Sequence, residues 1–469
     1  MKRSTLQGPV LIVACVVALA SVLVYLSLTA PSAVSSMSLP PAATTLNATL
    51  SVNSTGTTVS SLLFGVGIEA DAALPTDSAA LLSRTPIHVL RYPDGTAGDS
   101  MDLVNGTLYA PGVPGTSPAL VSLPDFISLC RAINCTAIVQ LPLEINDPVT
   151  AAFEVGYIEN TLRFNPAYWE LGNEPRNWTC YGVPWALWGN GCDVTVNASE
   201  YATTAGAYIA AVRLVDPSAQ FVGLGGTNGP AWVEPLERED GPELAGISAH
   251  SYVDDLLTNP GEVTVSNFFS GLTNPNSLPD LLVSSRKAIA SACPACATTV
   301  FVTEMDSVSA GQPLSAYLDT SYNGLFFAAE VTQALNYRAT SVEAFTWTGA
   351  ESGLVNSSGP SWRYLVETSF LEQLGSVDEN ASVNASGMYA AATTSASTTT
   401  LMFVNTNTAT AVNVSWDGTG ISWAGSVSVW TWNASAHSTN IEENSVTAPT
   451  EVDVPPLSIV LVRGPPTTT

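Results

Sequence analysis

Strand-like and helix-like segments alternate along most of this chain of 469 residues. Apolar runs typical of strands occur at eight places, 62–69, 87–92, 136–143, 168–173, 220–224, 246–252, 299–304 and 342–347. Helix-like segments lie between them, at 77–83, 124–132, 151–162, 199–215, 232–238, 279–290 and 314–338. Such alternation predicts a parallel sheet with helices outside it.

The number of segments favours one parallel fold over others. Eight strands with seven interleaved helices is the count of an α/β protein with a (β/α)8 TIM barrel. A short apolar run does not by itself distinguish a strand from a buried helix, so the prediction depends on the total rather than on any single run. We predict a (β/α)8 barrel over residues 61–361, with a doubly wound sheet as the weaker alternative.

After residue 362 the texture of the chain changes. Segments at 388–394, 399–405, 411–416, 427–432 and 457–462 are rich in β-formers, and Gly, Asn and Ser turns separate them without helical patterns. This spacing is typical of an antiparallel β-sandwich. We predict such a domain over residues 362–469.

The N-terminus has the pattern of an export signal. Lys2 and Arg3 precede an uncharged run over 11–28, whose length lies between a signal-peptide core and a spanning helix. Residues 1–30 are therefore either a cleaved signal peptide or a signal anchor. Both place the rest of the chain in the extracellular space or at the cell surface, with membrane contact only through the N-terminal segment. Residues 31–60 are rich in Ser, Thr and Pro and read as a linker, with a possible strand at 49–52.

The cysteines agree with an oxidising compartment. Six follow the leader, in three pairs that are close in sequence: Cys130 with Cys135, Cys180 with Cys192, and Cys293 with Cys296. The Cys-Pro-Ala-Cys spacing of the last pair also fits a redox dithiol or half a zinc site. The chain has no second CxxC and no His near this one, so we predict three disulfides. Sequons at eleven asparagines predict a glycosylated surface: Asn47, Asn53, Asn105, Asn134, Asn177, Asn197, Asn356, Asn380, Asn384, Asn413 and Asn433.

The formal net charge of −26 reflects a shortage of basic residues, 14 Lys and Arg against 40 Asp and Glu. Nucleic-acid partners are excluded, because phosphate contacts need basic patches. A surface built from Ser, Thr, Asn and carboxylates loses most of its charge near the carboxylate pKa of about 4. The composition therefore favours an acidic working environment.

Two glutamates are predicted to lie at strand ends on one rim of the barrel. The segment Tyr-Trp-Glu-Leu-Gly-Asn-Glu-Pro over 168–175 reads as a strand that stops at proline, so Glu174 follows the fourth strand. Glu304 closes the seventh strand. Retaining glycosidases need two carboxyl groups about 5 Å apart, and the carboxyl ends of barrel strands carry the chemistry in TIM-barrel enzymes. Either glutamate alone also fits a loop carboxylate that caps a backbone amide.

These motifs resemble a known group of enzymes. Asn-Glu-Pro after the fourth strand and Thr-Glu at the end of the seventh resemble the signature of glycoside hydrolase clan A. Within the clan, Trp-Glu-Leu-Gly-Asn-Glu-Pro and the Leu-Arg-Tyr-Pro-Asp-Gly-Thr of 90–96 are most similar to the heparanase/β-glucuronidase family, glycoside hydrolase family 79. The resemblance implies that Glu174 is the general acid/base, that Glu304 is the nucleophile, and that Asn173 binds the sugar 2-hydroxyl.

The same resemblance assigns four further residues to substrate binding. Arg91 would lie near the nucleophile, Tyr252 would hydrogen-bond it, and His250 would orient either glutamate. Trp347 would form an aromatic floor beneath the sugar. Each has an ordinary alternative: a structural ion pair for Arg91, a satisfied core residue for His250, and core packing for Trp347.

These residues together predict an extracellular retaining glycoside hydrolase of the β-glucuronidase/heparanase type, with an oligo- or polysaccharide substrate and no metal or organic cofactor. Tyr-Pro-Asp over 92–94 replaces the glycines of family 79, and so few Lys and Arg cannot build a cleft for sulfated chains. A neutral or mildly acidic glycan is the safer expectation. The alternatives are another clan A specificity (cellulase, xylosidase or arabinofuranosidase) and a noncatalytic cell-surface glycan-binding protein.

Overall fold

The computed structural model describes residues 44–53, 56–226, 229–253, 264–274, 277–309, 312–349 and 352–467. The predicted leader over 1–30 and the first part of the predicted linker, 31–43, lie outside the described residues. Within the described ranges, no helix combines the length and the apolar character needed to cross a bilayer.

Eight parallel strands close into a barrel. In chain order, barrel strands 1 to 8 are Phe64–Gly67, Val89–Tyr92, Thr136–Leu141, Tyr168–Leu171, Phe221–Gly226, Leu244–Tyr252, Thr299–Asp306 and Ser341–Ala344. Each strand pairs in parallel with the next one in the chain, and strand 8 pairs with strand 1. This closure confirms the predicted (β/α)8 fold.

Helices fill the connections between the barrel strands, and polar side chains fix where several of them begin. The α-helices are Ser78–Leu82, Gly95–Ser100, Leu123–Ile133, Pro148–Asn160, Trp185–Trp188, Ala198–Arg213, Pro230–Asp240, Val265–Ser270, Leu278–Ala292, Ser321–Asn336 and Trp362–Ser369. Short 3-10 helices are Pro175–Asn177, Gly241–Glu243, Gly271–Thr273, Pro313–Tyr317, Leu371–Gln373 and Ala434–Ala436. Capping boxes begin two of the α-helices, from Ser122 with Asp125 and from Asn197 with Glu200.

Two sheets form the predicted β-sandwich. One has the strand order Ala381–Val383, Thr44–Val52, Thr410–Ser415, Glu451–Val454. The other has the order Thr57–Thr58, Val377–Asp378, Met388–Thr394, Thr399–Asn405, Ser458–Gly464, Ser426–Asn433, Glu442–Thr447. Buried apolar side chains from both sheets, among them Leu401, Phe403 and Trp416, form one core. Pairing is antiparallel except between Thr44–Val52 and Thr410–Ser415, which run in parallel.

Small sheets complete the described structure. Met101–Asp102, Thr107–Leu108 and Ser117–Pro118 form a three-stranded sheet after barrel strand 2. Val355–Asn356 and Gly359–Pro360 form a hairpin after barrel strand 8.

The predicted linker is wrong where it overlaps the described residues. Thr44–Val52 is a nine-residue strand inside the sandwich, and Thr57–Thr58 pairs with Val377–Asp378. Ala48 and Leu50 alternate inward into the sandwich core while Leu46 is half exposed. The possible strand predicted at 49–52 is the end of this strand. The Ser- and Thr-rich composition hid its first part, although β-branched Thr is compatible with a pleated sheet.

The start of the sandwich also differs from the prediction. Trp362–Ser369 is a helix whose side chains bond the barrel region: Arg363 Nη1 donates to the carbonyl of Phe345, and the Tyr364 hydroxyl donates to the carbonyl of Leu81. The helix therefore extends the helical layer of the barrel. After this helix, the first strand of the sandwich is Val377–Asp378.

The interior of the barrel is unusually polar. Arg91, Gln140, Glu170 and Glu343 are all fully buried there. Gly65 makes room for Glu343, since a Cβ at position 65 would lie 2.4 Å from Glu343 Cγ. Burial raises the pKa of Glu343 well above its ordinary value, with Arg91 opposing. Arg91, the cation inside the barrel, therefore has several acidic neighbours.

Candidate active site

The two predicted glutamates meet at the carboxyl-end rim of the barrel. Glu174 lies three residues beyond barrel strand 4, and Glu304 lies within barrel strand 7. One carboxylate oxygen of each and one ring nitrogen of His250 lie within 4.8 Å of one another. This spacing is that of the acid/base and nucleophile in retaining glycosidases, where the two carboxyl groups are about 5–5.5 Å apart.

The loop around Glu174 holds the carboxyl group at a partly open position. Glu174 has a left-handed backbone with φ of 44°, and its N–H donates to the carbonyl of Gly225 over 2.6 Å. Only glycine fits at position 225, because a Cβ there would lie 2.3 Å from the carbonyl oxygen of Gly172. The Nδ2 of Asn177 donates to Glu174 Oε2 over 2.7 Å. With its side chain 34% exposed, Glu174 can reach a bound substrate.

Glu304 is more enclosed and receives hydrogen bonds from two proton donors. Its side chain is only 6% exposed. Arg91 Nη1 donates to Oε1 over 2.8 Å, and the Tyr252 hydroxyl donates to Oε2 over 2.7 Å. Burial and the neighbouring Glu304 raise the pKa of Tyr252, so this hydroxyl keeps its proton and stays a donor. Both contacts stabilise a negative charge on Glu304.

His250 connects the two glutamates. Its Nδ1 lies 3.1 Å from Glu174 Oε1 and 3.3 Å from Glu304 Oε2. Burial lowers the pKa of His250, but Glu304 and Glu174 outweigh that effect and hold the pKa above its ordinary value. For Glu174, burial raises the pKa, but the hydrogen bond and the charge of His250 outweigh burial and bring the pKa below its ordinary value. Gly226 accommodates the imidazole, since a Cβ there would lie 2.1 Å from the ring.

Arg91 is the centre of the buried polar network. It is fully buried on barrel strand 2, and Nε donates to Glu170 Oε2 over 2.5 Å. Nη1 donates to Asp94 and to Glu304, and Nη2 donates to Asn173 Oδ1 over 2.8 Å. The sequence prediction placed Arg91 near the nucleophile, and the structure brings the two together.

Asn173 is fixed by contacts on both its backbone and its side chain. Its N–H donates to Asp99 Oδ1 over 3.0 Å, and its carbonyl accepts from Trp178 Nε1 over 2.7 Å. The same indole N–H lies 2.9 Å from Asp99 Oδ2. Because Arg91 donates to Asn173 Oδ1, the amide nitrogen of Asn173 is the end of the side chain that remains to donate to a hydroxyl group of a ligand.

The prediction that Trp347 contacts the sugar is wrong, and core packing, its alternative, is what the structure shows. Trp347 is 0% exposed, its Nε1 donates to Ser78 Oγ over 2.9 Å, and its ring packs edge-on against Tyr364. Barrel strand 8 ends at Ala344, so the alternation of side chains along the strand no longer fixes where positions 345 to 347 point. A ring without exposed surface offers no face to a sugar.

Phe345 is the aromatic residue that the sequence prediction missed. It is partly exposed, and its ring meets that of Tyr252 edge-on with centroids 6.0 Å apart. Its position one residue beyond barrel strand 8 was the signal that could have found it. Of these two residues, Phe345 is therefore the one with a ring that a ligand can reach.

Three acidic residues of the site also escaped the sequence prediction. Asp94 bonds Arg91, Asp99 holds Asn173, and Glu69 lies two residues beyond barrel strand 1. Burial, Asp94, Asp71 and Glu304 together raise the pKa of Glu69 to about 8. The neighbourhood of Glu304 is thus rich in carboxyl groups.

The grouping of Glu174, His250 and Glu304 also meets the spacing of a cation site. The guanidinium of Arg91 already donates to Glu304, and His250 Nδ1 faces both carboxylates. In this cluster the positive charge that would balance the two carboxylates already comes from Arg91 and His250. We interpret the cluster as proton-transfer machinery.

The three predicted disulfides are confirmed as Cys130–Cys135, Cys180–Cys192 and Cys293–Cys296. The second one closes the loop that follows Glu174. Glu144, just beyond barrel strand 3, anchors the same loop by accepting the N–H of Cys180 over 2.7 Å and that of Thr179 over 3.0 Å. The loop behind the catalytic rim is therefore tied down covalently and by hydrogen bonds.

Neither a protein-family profile nor a curated protein sequence matches this chain. Solved structures do match its fold. A GH51 arabinofuranosidase from Xanthomonas axonopodis pv. citri is 15% identical, with a TM-score of 0.69 over 89% of this chain and 99% of its own. CelM2, a bifunctional glucanase-xylanase from a metagenome library, is 13% identical, with a TM-score of 0.69 over 90% of this chain and 100% of its own. A GH44 endoglucanase from Clostridium acetobutylium is 11% identical, with a TM-score of 0.67 over 89% and 99%.

At these identities the similarity shows a common fold, a (β/α)8 barrel with an additional β domain. The whole length of each of these glycoside hydrolases corresponds to the greater part of this chain.

Proposed function

We propose that this protein is a retaining glycoside hydrolase with Glu304 as nucleophile and Glu174 as general acid/base. One observation carries the proposal: oxygens of the two carboxylates lie within 4.8 Å of each other and of His250 at the carboxyl ends of barrel strands 4 and 7. A noncatalytic glycan-binding protein would have no need for this spacing. The fold shared with arabinofuranosidases and glucanases supports the same proposal.

The different burial of the two glutamates supports different roles for them. Glu304, enclosed and bonded by Arg91 and Tyr252, is held as a carboxylate whose oxygen attacks the anomeric carbon. Glu174, which is more exposed, gives its proton to the glycosidic oxygen as the C–O bond breaks. The products of this step are a free alcohol and a glycosyl ester of Glu304.

The second step reverses the proton transfer. Glu174, now a carboxylate, takes a proton from water while the water oxygen attacks the anomeric carbon. The bond between that carbon and Glu304 breaks, and its electron pair returns to the Glu304 carboxylate. Asn173, fixed by Asp99 and Arg91, is placed to donate to a substrate hydroxyl in both steps.

We further propose a neutral glycan, of the arabinofuranoside, xyloside or glucoside class, rather than a glucuronide. In the described structure, the cationic groups that contact Glu174 or Glu304 are Arg91 and His250, and carboxylates already face both of them. Glu69 and Asp94 add further carboxyl groups beside the nucleophile. A uronic acid would bring another carboxylate into this neighbourhood, where like charges repel, and this disfavours a glucuronide. The similarity to family 79 stays a prediction.

The disulfides also support the predicted location outside the cytoplasm. Three disulfides are typical of an oxidising compartment. We propose an extracellular or cell-surface protein with sequon glycosylation, which mass spectrometry of the secreted chain before and after deglycosylation would test.

A panel of aryl glycosides (arabinofuranoside, xyloside, glucoside and glucuronide) at pH 3 to 6 tests the proposed activity. We expect turnover of a neutral glycoside, with proton NMR showing that the first-formed sugar retains its anomeric configuration. Glu304→Gln should abolish turnover, whereas the matched variant Glu442→Gln, on an exposed sandwich strand, should not change it. Inversion of configuration, or full activity in Glu304→Gln, would reject the mechanism.

A further inference from the structure

We propose that Asp94 is a positioning residue that controls the second step of the reaction by sharing Arg91 with the nucleophile. In this proposal a neutral Asp94 leaves the charge of Arg91 to Glu304, and an ionised Asp94 competes for it. The inference rests on the proposed glycosidase function.

Asp94 and Glu304 contact the same nitrogen atom. Arg91 Nη1 donates to Asp94 Oδ1 and also to Glu304 Oε1, the latter over 2.8 Å. Asp94 is 0% exposed, so solvent does not screen the interaction between the two carboxyl groups. Whatever charge Asp94 carries is therefore felt directly at the nucleophile.

The surroundings of Asp94 favour its neutral form. Oδ1 accepts from Arg91 and from the N–H of Gly95 over 3.0 Å, whereas the buried Oδ2 has no hydrogen-bond partner among the described residues. Oδ2 packs against Gly67, where a Cβ would lie 1.7 Å from it. A buried carboxylate oxygen without a partner is costly, and a proton on Oδ2 removes that cost.

Burial and the acidic groups that face Asp94 outweigh the two cationic groups that face it. Burial raises the pKa of Asp94 to about 7, Arg91 opposes the rise, Glu304 and Glu170 add to it, and His250 opposes it. Glu69, two residues beyond barrel strand 1, interacts with it as well. The other four groups come from barrel strands 2, 4, 6 and 7. Asp94 is thus neutral in acid and gains a charge near neutral pH.

The charge on Asp94 acts differently on the two steps. When the glycosyl ester of Glu304 breaks, the electron pair of the bond returns to Glu304, and an ionised Asp94 beside it makes Glu304 a poorer leaving group. Formation of the ester removes negative charge from Glu304 and is not hindered in this way. Ionisation of Asp94 should therefore slow deglycosylation and let the glycosyl-enzyme accumulate.

An activated substrate isolates this effect. In a 2,4-dinitrophenyl glycoside of the preferred sugar, the leaving group is 2,4-dinitrophenolate, which departs as an anion without protonation. The glycosylation step of this substrate therefore does not need the Glu174 proton. Deglycosylation needs Glu174 as a carboxylate, which a rise in pH only favours. Any fall in kcat between pH 5.5 and 8 then reports another group, and we expect wild-type kcat to fall about tenfold over this range, as a nearby unit charge allows.

The experiment compares kcat from pH 5.5 to 8 for the wild type, Asp94→Asn, Asp94→Gly and the control Asp378→Asn, a buried carboxyl of the sandwich. Intact-protein mass spectrometry of acid-quenched samples measures the glycosyl-enzyme fraction, and circular dichroism checks folding at each pH. We expect the fall in kcat and the rise in glycosyl-enzyme in the wild type and in Asp378→Asn only. Asp94→Gly suits the φ of 66° at this position and serves if the Asn variant fails to fold.

The outcomes separate this inference from the proposed function. Absence of any glycosyl-enzyme in the wild type at every pH would overturn the proposed function. A glycosyl-enzyme that forms in all variants with the same pH dependence would overturn the role of Asp94 and leave the glycosidase function standing.

Discussion

Arg91 Nη1 donates a hydrogen bond to Glu304 Oε1 over 2.8 Å, from the end of barrel strand 2 to the end of barrel strand 7. The guanidinium also donates to Glu170 and Asn173, so one side chain fixes both Glu304, the proposed nucleophile, and Asn173, the proposed substrate contact. Lysine cannot reproduce these contacts, because its single ammonium lacks the planar fork of donors.

We therefore expect Arg91→Lys to lower kcat/KM about 10²–10³-fold, the usual loss when a preorganised donor is removed. It should also lower the free energy of unfolding by about 3 kcal/mol, since buried carboxyl groups lose their partner. Urea titration and steady-state kinetics measure the two effects. Arg213→Lys is the control, because its ion pair with Glu243 is partly exposed and worth about 1 kcal/mol or less. Equal losses in the two variants would contradict the central role of Arg91.

The hydroxyl of Tyr252 gives a second prediction. It donates to Glu304 Oε2 over 2.7 Å, so Tyr252→Phe removes one donor from the nucleophile and leaves the ring in place. We expect kcat to fall about tenfold to a hundredfold, with a stability loss of about 1 kcal/mol. Tyr364→Phe, whose hydroxyl donates to a backbone carbonyl, should show the stability loss without the kinetic one.

The bridge between His250 and Glu174 predicts the pH dependence of the first step. The imidazole brings the pKa of Glu174 below its ordinary value, so the protonated acid is abundant only in acid. For an unactivated substrate, kcat/KM should therefore decline as the pH rises, and the decline should begin at a lower pH than an ordinary glutamate would give. His250→Asn removes the charge that favours the Glu174 carboxylate and should move this decline to higher pH. If the decline in kcat/KM stayed at the same pH or moved to lower pH in His250→Asn, the role given to His250 would be contradicted.

The sequence was sufficient for the parts of the site that depend on local signals. Proline after Glu174 and the end of the apolar run at Glu304 mark strand ends, and barrel topology then brings the ends together. Asp99 was not predictable in this way, because it reaches Asn173 only after the helix Gly95–Ser100 packs against barrel strand 3. The strand Thr44–Val52 was predicted only in part, at 49–52, and its place in the sandwich was missed for a similar reason, since its partners lie more than 300 residues away.

We propose that Phe345, rather than Trp347, is the aromatic residue that contacts the sugar. One variant of each residue tests this. Phe345→Ala removes a partly exposed ring at the rim and should raise KM several-fold, with a smaller effect on stability than a core substitution. Trp347→Phe leaves a cavity and removes the hydrogen bond to Ser78, so it should lower the free energy of unfolding by about 2–3 kcal/mol. Its KM should stay close to that of the wild type. A rise in KM for Trp347→Phe alone would restore the original assignment.

Buried carboxyl groups outside the site predict that the fold is more stable in acid than at neutral pH. Glu367 is fully buried, and burial raises its pKa to about 8, with Arg363 opposing. Its pKa in the unfolded chain is about 4.3, so the folded state holds the proton more tightly. The stability that Glu367 contributes is fully present below about pH 4.3, falls as the pH rises and is lost above about pH 8.

Urea denaturation at pH 4, 6 and 8 measures this trend, and we expect the free energy of unfolding to fall steadily across the series. Each such group contributes at most about 1.4 kcal/mol per pH unit. Glu367→Gln should flatten the slope between pH 6 and 8, because the amide cannot ionise. Glu442→Gln, on an exposed strand, should leave it unchanged. A wild-type stability that rises from pH 4 to 8 would show that the buried carboxyl groups are not the dominant titrating groups of the fold.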